Sequence, residues 1–264
     1  VKWDMNRSIT ECYSASLPAD RQGEVYHRYI LGVYNLYERL TSRFPHVLFE
    51  SCASGGGRFD PGLLYYAPQG WTSDDTDAVE RLKIQYGTSY CYPVSCMGSH
   101  VSVTPNHQLS RVTPLHTRAN VAYFGTFGYE LDLNKLTEEE QNEVRKQVLF
   151  MKKYRRLIQF GTFYRLQSPF ENNVAGWMVV SDDKKEAIVG RYKLLNGANQ
   201  PFERMYLKGL DENTKYLVNG NETHYGDELM HCGMVTTDAS AGEAGPDEKM
   251  SCDFDSELYV IHAV

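Results

Sequence analysis

Near residue 161 the pattern of the sequence changes, and no other feature constrains the fold as much. Before that point, apolar runs of strand length alternate with stretches of helical spacing. After it come short strand-like runs separated by turn residues. Residues 21–44 carry Val25, Tyr29, Val33, Leu36 and Leu40 on one helical stripe, and Pro45 stops the helix. Residues 137–159 predict a second long helix, opened by a capping box of Thr137 and Glu140. Glu138, Glu139 and Glu140 sit at the positive end of its dipole, and Lys152, Lys153, Arg155 and Arg156 lie toward the negative end. Shorter helices are expected over "PGLLYYA", from Thr76 or Asp77 onward, and over "TRANVAYFG". Strands are expected at 1–6, 46–52, 70–75, 92–98 and 127–133. Strand and helix in alternation is the order of a parallel sheet with crossover helices. Five strands make an open sheet or the later part of an eight-stranded barrel. The lack of an initiator methionine favours the second, as a piece of something longer.

Beyond 161, "VAGWMVVSD", "EAIVGRYKL" and "SELYVIHAV" read as strands, and Val218-Asn219-Gly220-Asn221 as a hairpin turn. "TTDASAGEAGPDEKMS" reads as an exposed loop. This part is expected to be an antiparallel β-domain of sandwich type.

A net charge of −7 over 264 residues argues against a nucleic-acid partner, because phosphate binding needs a basic surface. No apolar run is long enough to cross a membrane, and "VKWDMN" is not a signal peptide. The six cysteines, Cys12, Cys52, Cys91, Cys96, Cys232 and Cys252, fit no zinc spacing and suggest reduced thiols in a cytoplasm. Glycosylation triplets at Asn6-Arg7-Ser8 and Asn221-Glu222-Thr223 matter only in a secreted protein. His100, His107 and His116 match no metal-ligand motif, so neither a metal nor a cofactor is expected.

The chemistry gathers at strand ends, where ligand sites of parallel α/β folds form. In "VKWDMN", Lys2, Asp4 and Asn6 fall on one face of a strand, with Val1, Trp3 and Met5 on the other, in apolar packing. Such a polar face is either a solvated edge or the wall of a pocket. Asp4 ends the first strand, and Asp74 and Asp75 end the third. Two carboxylates across a sugar ring are the equipment of glycoside hydrolysis: one ionised, the other holding a proton. Lys2 would keep Asp4 ionised, and Trp3 and Trp71 are candidate aromatic walls. Blander readings stand beside these. Asp75 or Asp77 could be a helix N-cap, Cys52 a small buried hydrophobe, and the glycines before Arg58 a simple turn.

"KWDMNR" at 2–7, "CASGGGRFD" at 52–60, "WTSDDTDAVERLKIQYG" at 71–87 and "SHVSVTPNHQ" at 99–108 are long and specific motifs. With them the chain resembles the C-terminal part of a bacterial α-galactosidase of glycoside hydrolase family 36. The resemblance implies the C-terminal portion of a (β/α)8 TIM barrel over 1–160 and an antiparallel β-sandwich over 161–264. It implies Asp4 as nucleophile and Asp74 as acid/base of a retaining hydrolase of melibiose- and raffinose-type α-galactosides. Lys2 and Asn6 would bond galactose hydroxyls. Cys52 and the turn at Gly55 would line the sugar site, with Arg58 and Trp71 nearby. The full-length enzyme would be a homo-oligomer and would need no cofactor. Two other readings remain: a relative that transfers galactose to a sugar, and a catalytically silent sugar-binding fragment, since part of a barrel leaves open sheet edges.

Overall fold

The computed structural model describes residues 1–6, 9–197, 203–236 and 253–264. The protein divides into two compact units, 1–74 with 96–98, and 75–95 with 99–264. The first begins with strand β1 (Lys2–Trp3), followed by helix α1 (Val25–Arg43), β2 (Glu50–Ser51), α2 (Pro61–Tyr66) and β3 (Gln69–Gly70). The strands pair in parallel in the order β1-β2-β3, with Lys2 opposite Glu50 and Glu50 opposite Gln69. A parallel bridge from Gly70 to Met97 extends the sheet. Each crossover carries a helix, as parallel pairing requires.

These strands are far shorter than the expected 1–6, 46–52 and 70–75. The backbone leaves regular pairing where the polar residues begin, so Asp4, Asn6 and Asp74 lie beyond carboxyl ends rather than within strands. Single bonds continue the ladder a little further: Cys52 N to Trp3 O (3.0 Å), Met5 N to Cys52 O (3.2 Å) and Trp71 N to Ser51 O (2.9 Å).

The core of this unit is Tyr37, Phe49, Leu63 and Ala67, flanked by Trp3, Val33, Tyr34, Leu40 and Tyr66. The buried arc of α1 therefore runs through Val33, Tyr34, Tyr37 and Leu40, and Leu36 from the expected stripe is exposed. Aromatic bulk decides this rotation: the Tyr37 ring lies 4.4 Å from Trp3 and 5.9 Å from Phe49. Val1, expected in apolar packing, is 69% exposed. Asp60 caps α2, accepting from Leu63 N (2.9 Å) and from the Tyr34 hydroxyl (2.6 Å).

In the second unit, α3 (Ala78–Thr88) is capped by Asp77, which accepts from Val79 N and Glu80 N, both at 3.0 Å. Then follow β4 (Gly98–Ser102), α4 (Leu115–Ala122), β5 (Thr126–Glu130) and α5 (Glu138–Phe160). The capping box of α5 is formed: Glu140 N donates to Thr137 Oγ1 (3.2 Å), and Thr137 N to the Glu140 carboxylate (2.9 Å). Eight strands complete the chain: β6 (Thr162–Gln167), β7 (Val174–Val180), β8 (Glu186–Lys193), β9 (Arg204–Met205), β10 (Lys215–Val218), β11 (Glu222–Tyr225), β12 (Met234–Val235) and β13 (Asp255–Ala263).

Six of them form an antiparallel sheet in the order β11-β10-β13-β8-β7-β6, and β9 pairs with β12. Every residue of β7 is buried. Ala175, Trp177 and Val179 face a core shared with α3, α4 and α5, while Met178 and Val180 face one shared with Met205, Leu207, Leu229 and Met234. The β9–β12 ribbon is thus the second layer of the sandwich. The β10–β11 turn has Asn219 at φ 48° and Gly220 at φ 76°, the left-handed pair that a two-residue hairpin needs. The expected loop at 236–251 lies outside the described residues apart from Thr236, as do Cys252 and the Arg7-Ser8 part of the first glycosylation triplet. Among the described residues, no helix is long and apolar enough to cross a membrane.

Candidate active site

The parallel strands deliver their side chains to one place. Lys2, Asp4 and Asn6 are exposed, whereas Trp3 and Met5 turn to the other side: Trp3 packs on Tyr37, and the Met5 sulfur accepts from the Tyr29 hydroxyl at 2.9 Å. The period-two alternation therefore persists past the last paired residue.

Asp4 is held from several directions. Asn6 Nδ2 donates to Asp4 Oδ2 at 2.9 Å. The neighbouring Cys52 thiol is the largest influence holding Asp4 below the usual aspartate range. Asn6, the Met5 N–H and the Lys2 charge act in the same direction, while burial opposes them. Cys52 itself is 1% exposed. Burial, and then the neighbouring Asp4 carboxylate, push its thiol up to about 11, so it stays protonated.

Lys2 Nζ lies 4.0 Å from Glu50 and 5.2 Å above the Trp71 ring. Gln69 Nε2 donates to the same Glu50 carboxylate at 2.5 Å. Glu50, Cys52 as an influence on Asp4, and Ser54 were not singled out from the sequence. Lys2 and Glu50 are partners in the parallel register. That pairing becomes legible only once the register is known.

The glycine turn sets spacing. Ser54 N and Oγ donate to Asn6 Oδ1 at 3.3 and 3.4 Å. Gly55 adopts φ 76°, and a β-carbon there would lie 2.6 Å from Ser73 Cα and 2.8 Å from Asp74 N. The turn thus touches the Asn6 side chain at one residue and the Asp74 backbone at the next. Close approach, not flexibility, is what this glycine supplies.

Arg58 and Trp71 are more deeply placed than the polar wall. Arg58 is 8% exposed, and its guanidinium donates to the carbonyls of Cys52 (2.8 Å) and Trp3 (3.4 Å), tying β1 and β2 together below the site. Trp71 is 3% exposed and packs against the Gly98 backbone. Asp74 is exposed. Among the described residues, no group of His, Cys, Asp and Glu could hold a metal ion. His100 pairs with Glu130 (3.3 Å) and His116 with Asp255 (2.6 Å).

Asp4 and Asp74 lie just beyond the carboxyl ends of β1 and β3, on either side of β2 in a parallel sheet with crossover helices, and this arrangement defines the α/β class. The chain belongs to the melibiase family, whose model matches residues 1–161, and the glycosyl hydrolase family 36 C-terminal domain matches 174–261. It is 60% identical over 235 residues to the α-galactosidase AgaA of Geobacillus stearothermophilus, covering 89% of this chain and 32% of that protein. To α-galactosidase Mel36A of Lactobacillus acidophilus it is 53% identical over 234 residues, covering 88% and 32%. The fold matches the crystal structure of the α-galactosidase from Lactobacillus brevis with a TM-score of 0.93 at 56% identity, and that of AgaA in complex with raffinose with 0.92 at 54%. Both matches cover the whole of this chain and 35% of the other. The chain therefore spans about a third of the length of these relatives.

Proposed function

We propose that the protein bearing this chain is a retaining α-galactosidase acting on melibiose- and raffinose-type oligosaccharides. The observation that carries the reading is the held carboxylate of Asp4: exposed beyond the end of β1, bonded by Asn6, and kept ionised below the usual aspartate range. An ionised, oriented carboxylate is what a glycosidase nucleophile must be. Asp4 attacks the anomeric carbon and forms an ester as the bond to the leaving oxygen breaks, and Asp74 gives that oxygen its proton. Asp74, now ionised, takes a proton from water, whose oxygen attacks the anomeric carbon and releases Asp4.

Lys2 and Asn6 bond sugar hydroxyls, Cys52 and Gly55 shape the floor, and Arg58 and Trp71 support it. A further observation supports the two acids. AgaA was crystallised with raffinose with one aspartate replaced, and with stachyose with another replaced. Those two aspartates stand as far apart in its sequence as Asp4 and Asp74 do here.

The reading assigns 1–160 to the C-terminal portion of the catalytic barrel and 161–264 to the β-sandwich domain. It includes a cytoplasmic location, supported by five free thiols among the described residues, and a homo-oligomeric full-length enzyme. The test is Asp4→Asn in the full-length protein, assayed with a nitrophenyl α-galactoside. Turnover is expected to vanish with the fold intact, and retained turnover would refute the assignment. In a substrate complex the two carboxyl groups should stand about 5–5.5 Å apart, the retaining separation.

A further inference from the structure

We propose that Gln108 is a positioning residue for the reaction: its amide oxygen holds the Thr76 N–H and so fixes the backbone that carries Asp74. The inference rests on the reading of Asp74 as acid/base. Thr76 follows Asp74 by two residues along the chain and is buried, with its N–H, carbonyl and hydroxyl all engaged. Its N–H donates to Gln108 Oε1 at 3.1 Å, its carbonyl accepts from Ser102 Oγ at 2.7 Å, and its hydroxyl oxygen accepts from Asn106 Nδ2 at 3.0 Å. These partners come from the end of β4 and from the loop between β4 and α4, and they lie with Thr76 in the second unit.

The loop is braced by its own bonds. Asn106, itself buried, accepts at Oδ1 from Gln108 N (2.9 Å) and Leu109 N (3.1 Å), and its backbone bonds to Arg111 O (2.8 Å) and Ser110 N (2.7 Å). The buried Arg118 guanidinium closes the base of the loop, donating to the carbonyls of Ser102 and Thr113. Arg111 pairs with Asp77, the cap of α3, and with Glu80 at 3.4 Å. Gln108 therefore offers its amide from a frame already set, as a positioned group requires. The Ser102 bond grips the peptide that leads into α3, whereas the Gln108 bond grips the peptide that leads back to Asp74. Gln108 is exposed and adds little to any core, so the direction of the chain leaving Asp74 is what its bond controls. A general acid must come within hydrogen-bond reach of the leaving oxygen, and misplacement by about 1 Å can cost roughly a hundredfold in rate.

The experiment compares Gln108→Met, which keeps the length and removes the amide, and Gln108→Ala in the full-length protein, with Asp74→Ala as the reference. kcat/KM is measured for melibiose, whose leaving alcohol needs a proton, and for dinitrophenyl α-galactoside, whose leaving phenolate does not. Asp74→Ala is expected to lose melibiose turnover far more than dinitrophenyl turnover. Both Gln108 variants should show the same split in smaller measure, with melibiose reduced by about tenfold or more and the dinitrophenyl substrate much less. Hydrogen exchange at Thr76, read by peptide mass spectrometry, should quicken in both. Equal losses on the two substrates, no loss on either, or unchanged exchange at Thr76 would each overturn the proposal. If Asp74→Ala lost both substrates alike, the reading of Asp74 would fall and the proposal with it. A split in Asp74→Ala without one in the Gln108 variants would overturn the proposal alone.

Discussion

At the scale of single residues, the sequence announced the polar wall but not what holds it. Alternation alone places Lys2, Asp4 and Asn6 together, because side-chain direction in extended chain depends only on parity. Lys2 was expected to govern the ionisation of Asp4, yet the Cys52 thiol leads and Lys2 contributes least among the groups that lower it. The reason is distance along the chain: residues 4 and 52 meet only through a pairing register, and periodicity carries no register. A pH consequence follows from the direction of the shift. A lowered pKa keeps Asp4 ionised further into acid, and the form that the proposed nucleophile needs disappears as pH falls through that lowered value. If the proposed function holds, the acid limb of kcat/KM in the full-length protein is expected below the ordinary aspartate value of 3.8. A limb clearly above it would contradict the hydrogen-bonded site. Thiol reactivity gives a second check. Cys91 and Cys232 are exposed, whereas burial pushes the thiols of Cys52 and Cys96 up to about 11. Since the thiolate is the nucleophile, iodoacetamide should modify Cys91 and Cys232 well before Cys52 and Cys96, as read by peptide mass spectrometry. Early labelling of Cys52 would mean that it is not buried as described.

At the scale of elements, helices were more legible than strands. The capping box of α5 and the cap and stop of its neighbours are local signals, so they survive folding unchanged. The first two parallel strands fall within the expected stretches but are far shorter. β3 (Gln69–Gly70) ends where 70–75 was expected to begin. The strand expected at 92–98 is instead a 3-10 turn at Val94–Cys96 followed by β4 at Gly98–Ser102, because an apolar run does not mark where pairing starts. Within α1 the stripe shifted to the Tyr37 side because aromatic packing on Trp3 and Phe49 outweighs the spacing of smaller residues. The turn after β2 is the element on which the site depends most. Gly55→Ala introduces an atom 2.6 Å from Ser73 Cα and also strains a residue at φ 76°. The Ser73–Asp74 backbone must then move, and misplacement of a reacting group by about 1 Å can cost roughly a hundredfold in rate. Gly55→Ala is expected to lower kcat by about that factor, with the circular dichroism spectrum unchanged. Activity within twofold or so of wild type would show that the turn does not set the position of Asp74.

At the scale of the whole molecule, the two compact units have very different interiors. The unit that carries every residue of the proposed site has a core of four buried hydrophobic residues, with five others packed against it, among the described residues. The other has two extensive cores on either face of β7 and β8, including Trp177, Met178, Ile188 and Tyr192 at 0% exposure. Local stability follows such differences in apolar burial. Hydrogen exchange should therefore be slowest at the amides of Val179 and Ile188, and markedly faster at Ser51 and Trp71. Equal protection at all four would show that the molecule opens only as a whole. The same contrast bears on how long a preparation keeps working. For this chain by itself, heat is expected to disperse the residues of the proposed site by opening that small interior while most of the ordered mass of the described residues remains in place. Calorimetry, which weighs that mass, would then overstate how long a stored sample keeps the proposed site intact, and the order of the site residues after timed heating is the measure to trust.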